Sequence, residues 1–366
     1  MKIRAAIVRQ QKQPLSLEEV ELEDPRPDEV LVRLVGAGIC HTDLVARDQY
    51  YPVPHPVVCG HEGAGIVERV GAGVHKVKPG DHVVLTYMWC GRCPSCLAGQ
   101  PAYCRQAFAL NFAGGREDGS SPLHQPGGEM HGAFFGQSSF ATHALAHERN
   151  TVKVSPEAPL EILGPLGCGV QTGAGTVMNA LRPTVGSSLV IFGAGAVGLS
   201  ALLAAKLAGC SPLIAVDIKP NRLDLARVLG ATHLINAAEV ADPLGTINRI
   251  TRGGADYTLE ATGLPHVFQQ AVHSLAPGGV CAFVGAAPFG VEASFDMNTI
   301  LAGRTIRGVV AGHSVPDLFI PQLIRLYLEG CFPFDRLIKF YPFAEINQAI
   351  ADSESGATVK PVLRFE

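Results

Sequence analysis

The sequence predicts an α/β protein of two domains, one β-rich and one built on a doubly wound parallel sheet. The 366-residue chain is longer than one hydrophobic core usually supports. Short β-branched runs, separated by glycine and proline, fill roughly the first 90 residues. Strands then alternate with helices from residue 170 to about 312. We expect domains at 1–169 and 170–312, with 313–366 returning to the first.

The composition is that of an ordinary globular protein, with 47% hydrophobic and 17% charged residues. A net charge of -4 argues against nucleic-acid binding, which needs a basic surface. The first residues lack the apolar region of a signal peptide. The most apolar stretch, residues 199–208, is too short to span a membrane and contains Lys206. The ten cysteines are clustered, which favours reduced thiols and metal binding in the cytoplasm over a disulfide scaffold.

The first domain is predicted from short runs of branched residues, at 5–8, 30–35, 65–70 and 82–85. Turn residues separate the runs, as in Lys78-Pro79-Gly80-Asp81. The pattern fits a small barrel-like domain, and an all-β sandwich remains open.

Cys40 and His61 are candidate metal ligands, because zinc prefers thiolate sulfur and imidazole nitrogen. A catalytic zinc keeps three protein ligands and one open position, and Cys168 is the best third candidate. Any one of these residues alone would more often be a packing residue. His61, however, lies in a glycine-rich run beside Glu62, an unusual place for a core residue. Asp43 and Glu62 could orient the imidazole or compete for the metal.

Four further cysteines lie in one short segment: Cys90, Cys93, Cys96 and Cys104. Their spacing predicts a closed zinc site made only of thiolates. A bacterial iron–sulfur run would have a shorter last gap followed by proline, whereas Arg105 follows Cys104 here. Disulfides or unbound thiols are the remaining alternatives. A site with four filled ligands holds a loop in place and performs no chemistry.

The segment from 107 to 137 is predicted to be a long loop with an aromatic end at Phe134-Phe135. Long loops in compact domains are usually functional or mobile. Its phenylalanines either line a substrate pocket or cover the domain junction.

A dinucleotide site is predicted where a strand at 189–192 meets a helix at 199–208. The glycines between them permit a tight turn, close approach of a pyrophosphate, and packing of helix on strand. A second strand at 213–216 ends in Asp217, at the spacing expected of an acid that binds the adenosine ribose. The candidate residues of the turn are Gly193, Gly195, Val197 and Gly198.

Asp217 also predicts the cofactor, because a carboxylate repels a 2′-phosphate and so favours NAD over NADP. Arg222 would lie by the ribose or adenine, or would be a solvated helix residue. Further strands are predicted at 232–235, 255–260 and 280–285, and a helix and strand near the end at 320–328 and 358–365.

Together these segments resemble the zinc-dependent medium-chain alcohol dehydrogenases over nearly the whole chain, and most of all the benzyl (aryl) and allylic alcohol dehydrogenases. The resemblance implies a GroES-like barrel domain, a Rossmann domain, two zinc ions and NAD per subunit, and a homodimer or homotetramer. The motifs that carry it are Cys40-His41-Thr42-Asp43-Leu44, Gly60-His61-Glu62-Gly63, the four-cysteine segment, Leu163-Gly164-Pro165-Leu166-Gly167-Cys168-Gly169, Gly136-Gln137-Ser138-Ser139-Phe140 and Gln171-Thr172-Gly173-Ala174-Gly175.

The same resemblance implies roles for individual residues. Cys40, His61 and Cys168 would hold the catalytic zinc. Thr42 would take the alcohol proton, Asp43 would hold His61, and Glu62 would be an occasional alternative ligand. The implied cofactor contacts are His41 at the pyrophosphate, Thr172 and Val284 at the nicotinamide half, and Lys360, where the family often has arginine, near the phosphates.

One position departs from the family. Liver-type relatives pass the proton to solvent through a histidine five residues after the first zinc cysteine, and this chain has Val45 there. The proton would leave through the cofactor ribose and water, or through another histidine such as His41.

The expected reaction is reversible oxidation of a primary aromatic or allylic alcohol to the aldehyde, with a zinc-bound alkoxide giving hydride to NAD. Two alternatives keep the metal, the polyol dehydrogenases and the glutathione-linked formaldehyde dehydrogenases. A zinc-stabilised nucleotide-binding structural protein is a third alternative. The aromatic residues expected near the pocket are Tyr51, Tyr87, Trp89, Phe112 and Phe134.

Overall fold

The structure is a computed structural model that describes residues 1–365. The chain divides into two compact units by its internal contacts. Unit 1 comprises Met1–Cys168, Val315–Glu329 and the chain from Ile338 onward, and unit 2 comprises Gly169–Ser314 and Gly330–Leu337. The sequence assigned 330–337 to the return segment, whereas the contacts place it with unit 2, where Phe332 and Phe334 are fully buried.

Unit 1 begins with strands punctuated by short helices. Its first strands are β1 (Lys2–Val8), β2 (Ser16–Leu22), β3 (Glu29–Gly38), β4 (Val57–Val58), β5 (Gly63–Val70), β6 (His82–Leu85), β7 (Leu123–His124), β8 (His143–His147) and β9 (Thr151–Lys153). Its first helices are α1 (His41–Arg47), α2 (Pro94–Leu97) and α3 (Ala107–Phe112), with 3₁₀ turns that include Phe134–Gly136 and Gly164–Gly167.

Unit 2 alternates strands with helices. Its elements are α4 (Gly169–Gly175), β10 (Leu189–Phe192), α5 (Ala196–Leu207), β11 (Leu213–Asp217), α6 (Pro220–Leu229), β12 (His233–Asn236), α7 (Pro243–Thr251), β13 (Ala255–Glu260), α8 (Pro265–His273), β14 (Leu275–Phe283), α9 (Met297–Leu301) and β15 (Thr305–Gly308). The chain then adds α10 (Pro316–Leu328), β16 (Ile338–Pro342), α11 (Ile346–Ser355) and β17 (Lys360–Arg364) to unit 1.

Two sheets form unit 1. The larger has the strand order β16-β17-β3-β5-β6-β9, with β8 also paired to β3, and the smaller has the order β4-β1-β2-β7. β3 is central because it pairs antiparallel with β5, β8 and β17. Its apolar residues are buried along most of its length, as expected of a strand covered on both faces.

Unit 2 is a six-stranded parallel sheet in the order β12-β11-β10-β13-β14-β15. The order reverses between β10 and β13, and in such sheets ligands bind beyond the carboxyl ends of the strands at this reversal. The glycine-rich turn follows β10 and so lies there. The predicted combination of a β-rich domain and a doubly wound parallel sheet is confirmed.

The prediction of a continuous loop from 107 to 137 is wrong at its start. Residues Ala107–Phe112 form α3, a short helix that buries Leu110 and Asn111. The Asn111 side chain bonds to both backbone polar groups of Met88, at 2.8 and 2.9 Å. This tertiary contact stabilises a short helix that the sequence pattern did not signal.

Candidate active site

Cys40, His61, Glu62 and Cys168 converge in unit 1 although they come from separate segments. Cys40 immediately precedes α1, His61 and Glu62 immediately precede β5, and Cys168 ends the turn at Gly164–Gly167. Their ligand atoms all lie within 4.8 Å of one another. Two thiols and an imidazole at this separation are a donor set suited to zinc.

Asp43 ties two of these ligand segments together from the first turn of α1. Its Oδ1 accepts hydrogen bonds from His61 Nδ1 at 2.8 Å and from the Gly60 amide at 3.0 Å. Its Oδ2 accepts one from the Cys40 amide at 2.9 Å. A carboxylate on one ring nitrogen leaves the other nitrogen for a metal.

The opposite ring nitrogen supports that interpretation. His61 is fully buried, and its Nε2 has no hydrogen-bond partner among residues 1–365. A buried polar atom without a partner is costly, so a ligand is expected there. The Cys168 thiol, as a hydrogen-bond donor, lowers the pKa of Cys40 well below its usual value despite burial. The residues present therefore fit a zinc ion.

Thr42 lies beside this cluster, with its Oγ1 3.8 Å from Cys40 Sγ. It follows His41, which is exposed, in the first turn of α1. Val45 is 3% exposed on the same helix and offers no polar atom to a proton path.

The expected role of Lys360 near the cofactor phosphates is corrected by the structure, which does not leave its ammonium group available to them. Its Nζ donates to both carboxylate oxygens of Glu62, at 2.9 and 3.0 Å, and to the Ile39 carbonyl at 3.1 Å. These bonds use all three ammonium protons. Burial alone would lower the pKa of Lys360, but the Glu62 carboxylate reverses the effect and raises it. Lys360 is thus the counter-ion of a buried carboxylate.

Aromatic rings surround the His61 imidazole. Phe135 stacks on it at 4.5 Å between ring centroids, and Phe134 approaches it edge-on at 5.8 Å. Phe112 contacts both phenylalanines, at 5.8 and 5.0 Å, and Tyr51 contacts Phe112 at 5.4 Å. Three of the expected pocket residues therefore form one cluster with the candidate ligand, while Tyr87 and Trp89 pair with each other at 5.5 Å.

The sequence did not predict the contact between Phe135 and His61, because the contact depends on the backbone conformation of Phe135. It lies in the left-handed region with φ of 52°, as do Ala133 at 56° and Ser138 at 53°. Such conformations cost on the order of 1–3 kcal/mol each and persist where surrounding contacts impose them. The Ser138 hydroxyl contributes by accepting from the Phe134 amide at 2.9 Å and donating to the Val58 carbonyl at 2.6 Å. Sequence patterns do not signal a left-handed phenylalanine.

The four cysteines at 90, 93, 96 and 104 also form a single cluster. Backbone amides point at the sulfurs, from Cys93 to Cys90 Sγ at 3.3 Å and from Arg105 to Cys93 Sγ at 3.5 Å. Hydrogen bonds from the Arg105 and Cys96 backbone lower the pKa of Cys93 to about 6. This arrangement fits a second zinc ion with four thiolate ligands.

The glycine-rich turn of unit 2 leaves room for a ligand. Gly193 has φ of 94°, and a Cβ on Gly198 would lie 1.9 Å from the Gly193 carbonyl oxygen. A Cβ on Gly195 would meet nothing within 4 Å. Two glycines thus serve the turn and the helix packing, and the middle one, at the N-terminus of the 12-residue α5, borders open space where a phosphate could bind.

Asp217 lies at the end of the next strand and is 8% exposed. Its Oδ2 accepts from the Ala194 amide of the glycine-rich turn at 2.6 Å, and its Oδ1 accepts from the Ile218 and Lys219 amides. Arg222 approaches Oδ2 at 3.9 Å, and its buried Nε has no partner within the described chain. This orphaned donor fits a bound nucleotide. Val197 in α5, Thr172 in α4 and Val284 after β14 are all half-buried in unit 2.

Comparisons with known proteins identify the family of the chain. A family model for zinc-binding dehydrogenases matches residues 196–329, and one for the alcohol dehydrogenase GroES-like domain matches 26–156. The chain is 46% identical over 364 residues to a geraniol dehydrogenase from Castellaniella defragrans, covering 99% of this chain and 97% of that one.

Two solved structures share the whole fold. A benzyl alcohol dehydrogenase from Acinetobacter calcoaceticus is 51% identical with a TM-score of 0.97, covering 100% of both chains. An alcohol dehydrogenase zinc-binding domain protein from Burkholderia ambifaria is 57% identical with a TM-score of 0.97, covering 100% of this chain and 99% of that one. The chain belongs to the zinc-binding alcohol dehydrogenase family. Its cofactors, as the family implies, are zinc and NAD.

Proposed function

We propose that this enzyme oxidises primary aromatic or allylic alcohols to aldehydes, reversibly, with NAD as the hydride acceptor. The observation that carries the proposal is the buried imidazole of His61, which has an unpartnered Nε2 and is enclosed by aromatic rings beside two thiols. Such rings suit a flat, apolar substrate. The similarity to a geraniol dehydrogenase and a benzyl alcohol dehydrogenase supports the same substrate class.

In this proposal Cys40, His61 and Cys168 hold a zinc ion, which would supply Lewis-acid activation of the alcohol oxygen. Asp43 fixes the ring tautomer and orientation of His61 through its 2.8 Å bond to Nδ1. Thr42, beside Cys40, would relay the alcohol proton: its hydroxyl oxygen accepts that proton as the hydroxyl gives its own proton up toward solvent. The aromatic rings exclude water from the reacting atoms.

NAD would supply the hydride acceptor and be held by unit 2. The turn at Gly193, Gly195 and Gly198, with Val197, would receive the pyrophosphate, and Asp217 with Arg222 would bind the adenosine ribose. Thr172 and Val284 would contact the nicotinamide half. Glu62, which is paired with Lys360, would become an alternative ligand only when it leaves that pair.

Substrate kinetics test the proposal. We expect kcat/KM for benzyl alcohol to exceed that for ethanol by about 10- to 100-fold, because burying a ring in an apolar site contributes about 1.5–3 kcal/mol. NADH absorbance measures both rates in the same assay. Equal values of kcat/KM would contradict the substrate class. Preference for a polyol or for a glutathione adduct of formaldehyde would favour the other metal-containing relatives.

The choice of cofactor depends on Asp217. In Asp217→Ser we expect the NAD/NADP ratio of kcat/KM to fall about 10- to 100-fold, since a hydrogen bond to a charged group contributes about 1.5–3 kcal/mol. Asp224→Ser is the matched control, because Asp224 is an exposed carboxylate on α6. An unchanged ratio in a folded Asp217→Ser protein would exclude the ribose role.

We further propose that unit 1 is the catalytic domain, that unit 2 binds NAD, and that the enzyme is a cytoplasmic homodimer or homotetramer. Large exposed apolar side chains in the segment between β14 and β15 support the assembly: Phe289, Met297 and Leu301 are 64%, 85% and 82% exposed. Sedimentation equilibrium that shows a monomer would contradict the proposed oligomer.

Reduced cysteine clusters support the proposed cytoplasmic location. In residues 1–365 no helix is long and apolar enough to span a bilayer.

A further inference from the structure

A buried glutamine contacts the backbone on both sides of Glu62. Gln137 is 2% exposed, and its Nε2 donates to the carbonyl oxygens of His61 at 3.0 Å and Thr86 at 3.1 Å. Its Oε1 accepts from the Gly63 amide at 3.1 Å. Both amide protons and the carbonyl oxygen are therefore used on backbone groups. The Gln137 side chain holds the peptide that carries His61 without contacting the imidazole nitrogen left for a metal.

Thr86 extends this connection to a second candidate ligand. Its fully buried hydroxyl donates to the carbonyl oxygen of Gly167 at 2.7 Å, and Gly167 is the residue before Cys168. The path from Gly63 through Gln137 and Thr86 to Gly167 thus joins the His61 segment to the Cys168 segment. Hydrogen bonds between buried groups in a low-dielectric interior are strong, so this connection resists rearrangement.

Two glycines allow these segments to lie so close. A Cβ on Gly167 would lie 2.2 Å from the Leu85 carbonyl oxygen, a backbone atom that cannot easily move. A Cβ on Gly63 would lie 2.9 Å from Ser139 Cβ and 3.1 Å from Gln137 Oε1. The backbone around the candidate ligands is therefore constrained by packing as well as by hydrogen bonds.

Phe135 lies two residues before Gln137 and stacks on the His61 ring. The Nδ2 of Asn150 lies 3.2 Å from each of the carbonyl oxygens of Phe135, Gly136 and Thr86, which share its two protons. The left-handed turn is thereby tied to the backbone that Gln137 contacts. His61 is held at its ring by Asp43 and Phe135, and at its peptide by Gln137.

We propose that Gln137 and Thr86 are positioning residues that fix the His61 and Cys168 segments relative to each other, so that the catalytic metal site keeps one geometry. Neither residue is placed among the metal ligands. The proposal rests on the proposed ligand set Cys40, His61 and Cys168. It assigns to Gln137 a physical role within the Gly136-Gln137-Ser138-Ser139-Phe140 motif.

Metal release tests this assignment. Gln137→Met keeps the length of the side chain and removes its hydrogen bonds, and Thr86→Val keeps the shape of the threonine. Zinc-loaded wild type and variants are mixed with a chromophoric chelator, and the four-cysteine zinc serves as an internal reference. In each variant we expect the zinc ion at Cys40, His61 and Cys168 to be released about 10- to 100-fold faster, the size of effect found when residues that orient metal ligands are changed. Release of the zinc ion at the four cysteines should be unchanged.

Spectroscopy and rescue separate positioning from a general loss of stability. With cobalt in the catalytic site, Gln137→Met should change the visible ligand-field spectrum, which reports coordination geometry. Thr86→Ser keeps a hydroxyl and should restore wild-type release. Asn347→Ala is the matched control in unit 1, because its amide also bridges backbone groups, those of Leu15 at 2.8 and 2.9 Å. The Asn347→Ala substitution should leave the release of both zinc ions unchanged.

Unchanged zinc release and an unchanged cobalt spectrum in folded Gln137→Met would overturn the proposal. If Gln137→Met fails to fold, the two Thr86 variants provide the test. Equal rates of zinc release from Thr86→Val and Thr86→Ser would then overturn the proposal. Binding of about one zinc by the wild-type chain would instead remove the proposed ligand set and the proposed function. The two failures are therefore distinguishable.

Discussion

A His61→Ala protein is expected to fold and to lose about 1,000-fold or more in kcat. Lewis-acid activation by a metal is worth several kcal/mol of transition-state stabilisation, and each 1.36 kcal/mol is a factor of ten. His61 is the one nitrogen donor in its cluster, and its Nε2 has no partner in the part of the chain that the structure describes. Steady-state oxidation of benzyl alcohol, followed by NADH absorbance, measures the loss.

Cys40→Ser should give a similar loss, because a serine hydroxyl is a poor substitute for a thiolate on zinc. Cys331→Ser is the control, since Cys331 is exposed and belongs to neither cysteine cluster, and it should retain wild-type turnover. Circular dichroism establishes that each variant is folded. Full activity in folded His61→Ala or Cys40→Ser would remove these residues from the metal site.

Lys360→Met is expected to destabilise unit 1 by about 3–5 kcal/mol, the usual cost of leaving one partner of a buried ion pair uncompensated. The side chains of Lys360 and Glu62 are 3% and 0% exposed, and their charges lie 2.9 Å apart. Removing the ammonium leaves a carboxylate beside the metal ligands without its counter-ion. Thermal unfolding at neutral pH measures the change.

The double variant Lys360→Met/Glu62→Gln should recover much of that loss, because it removes both buried charges. Lys339→Met is the matched control, since Lys339 pairs with Asp352 at 3.0 Å but is 57% exposed. Water screens such a pair, so a much smaller change is expected. Equal effects of Lys360→Met and Lys339→Met would show that the buried pair does not stabilise unit 1.

The four-cysteine cluster and the nucleotide turn could be predicted from sequence because their chemistry depends on residue type and local spacing. Four cysteines within residues 90–104 can lie in one loop whatever the rest of the chain does. The turn between β10 and α5 is likewise local, and its glycines were assigned from their positions. The strand and helix runs were predictable because burial imposes a pattern on each element.

The contacts of Lys360 and Phe135 could not be predicted from local spacing. The partner of Lys360 is 298 residues away in sequence, and the two segments meet because β3 pairs with β17 on one side and with β5 on the other. Phe135 contacts His61 because its backbone is left-handed, a conformation imposed by hydrogen bonds from residues elsewhere in the chain. The network of Gln137 and Thr86 depends on similarly distant contacts.

The zinc content of the purified chain, measured by inductively coupled plasma mass spectrometry, tests the catalytic metal site most directly. We expect about two zinc ions per wild-type chain and about one in Cys40→Ser, because four thiolates hold the second ion independently. About one zinc in the wild type, or an undiminished content in folded Cys40→Ser, would contradict it.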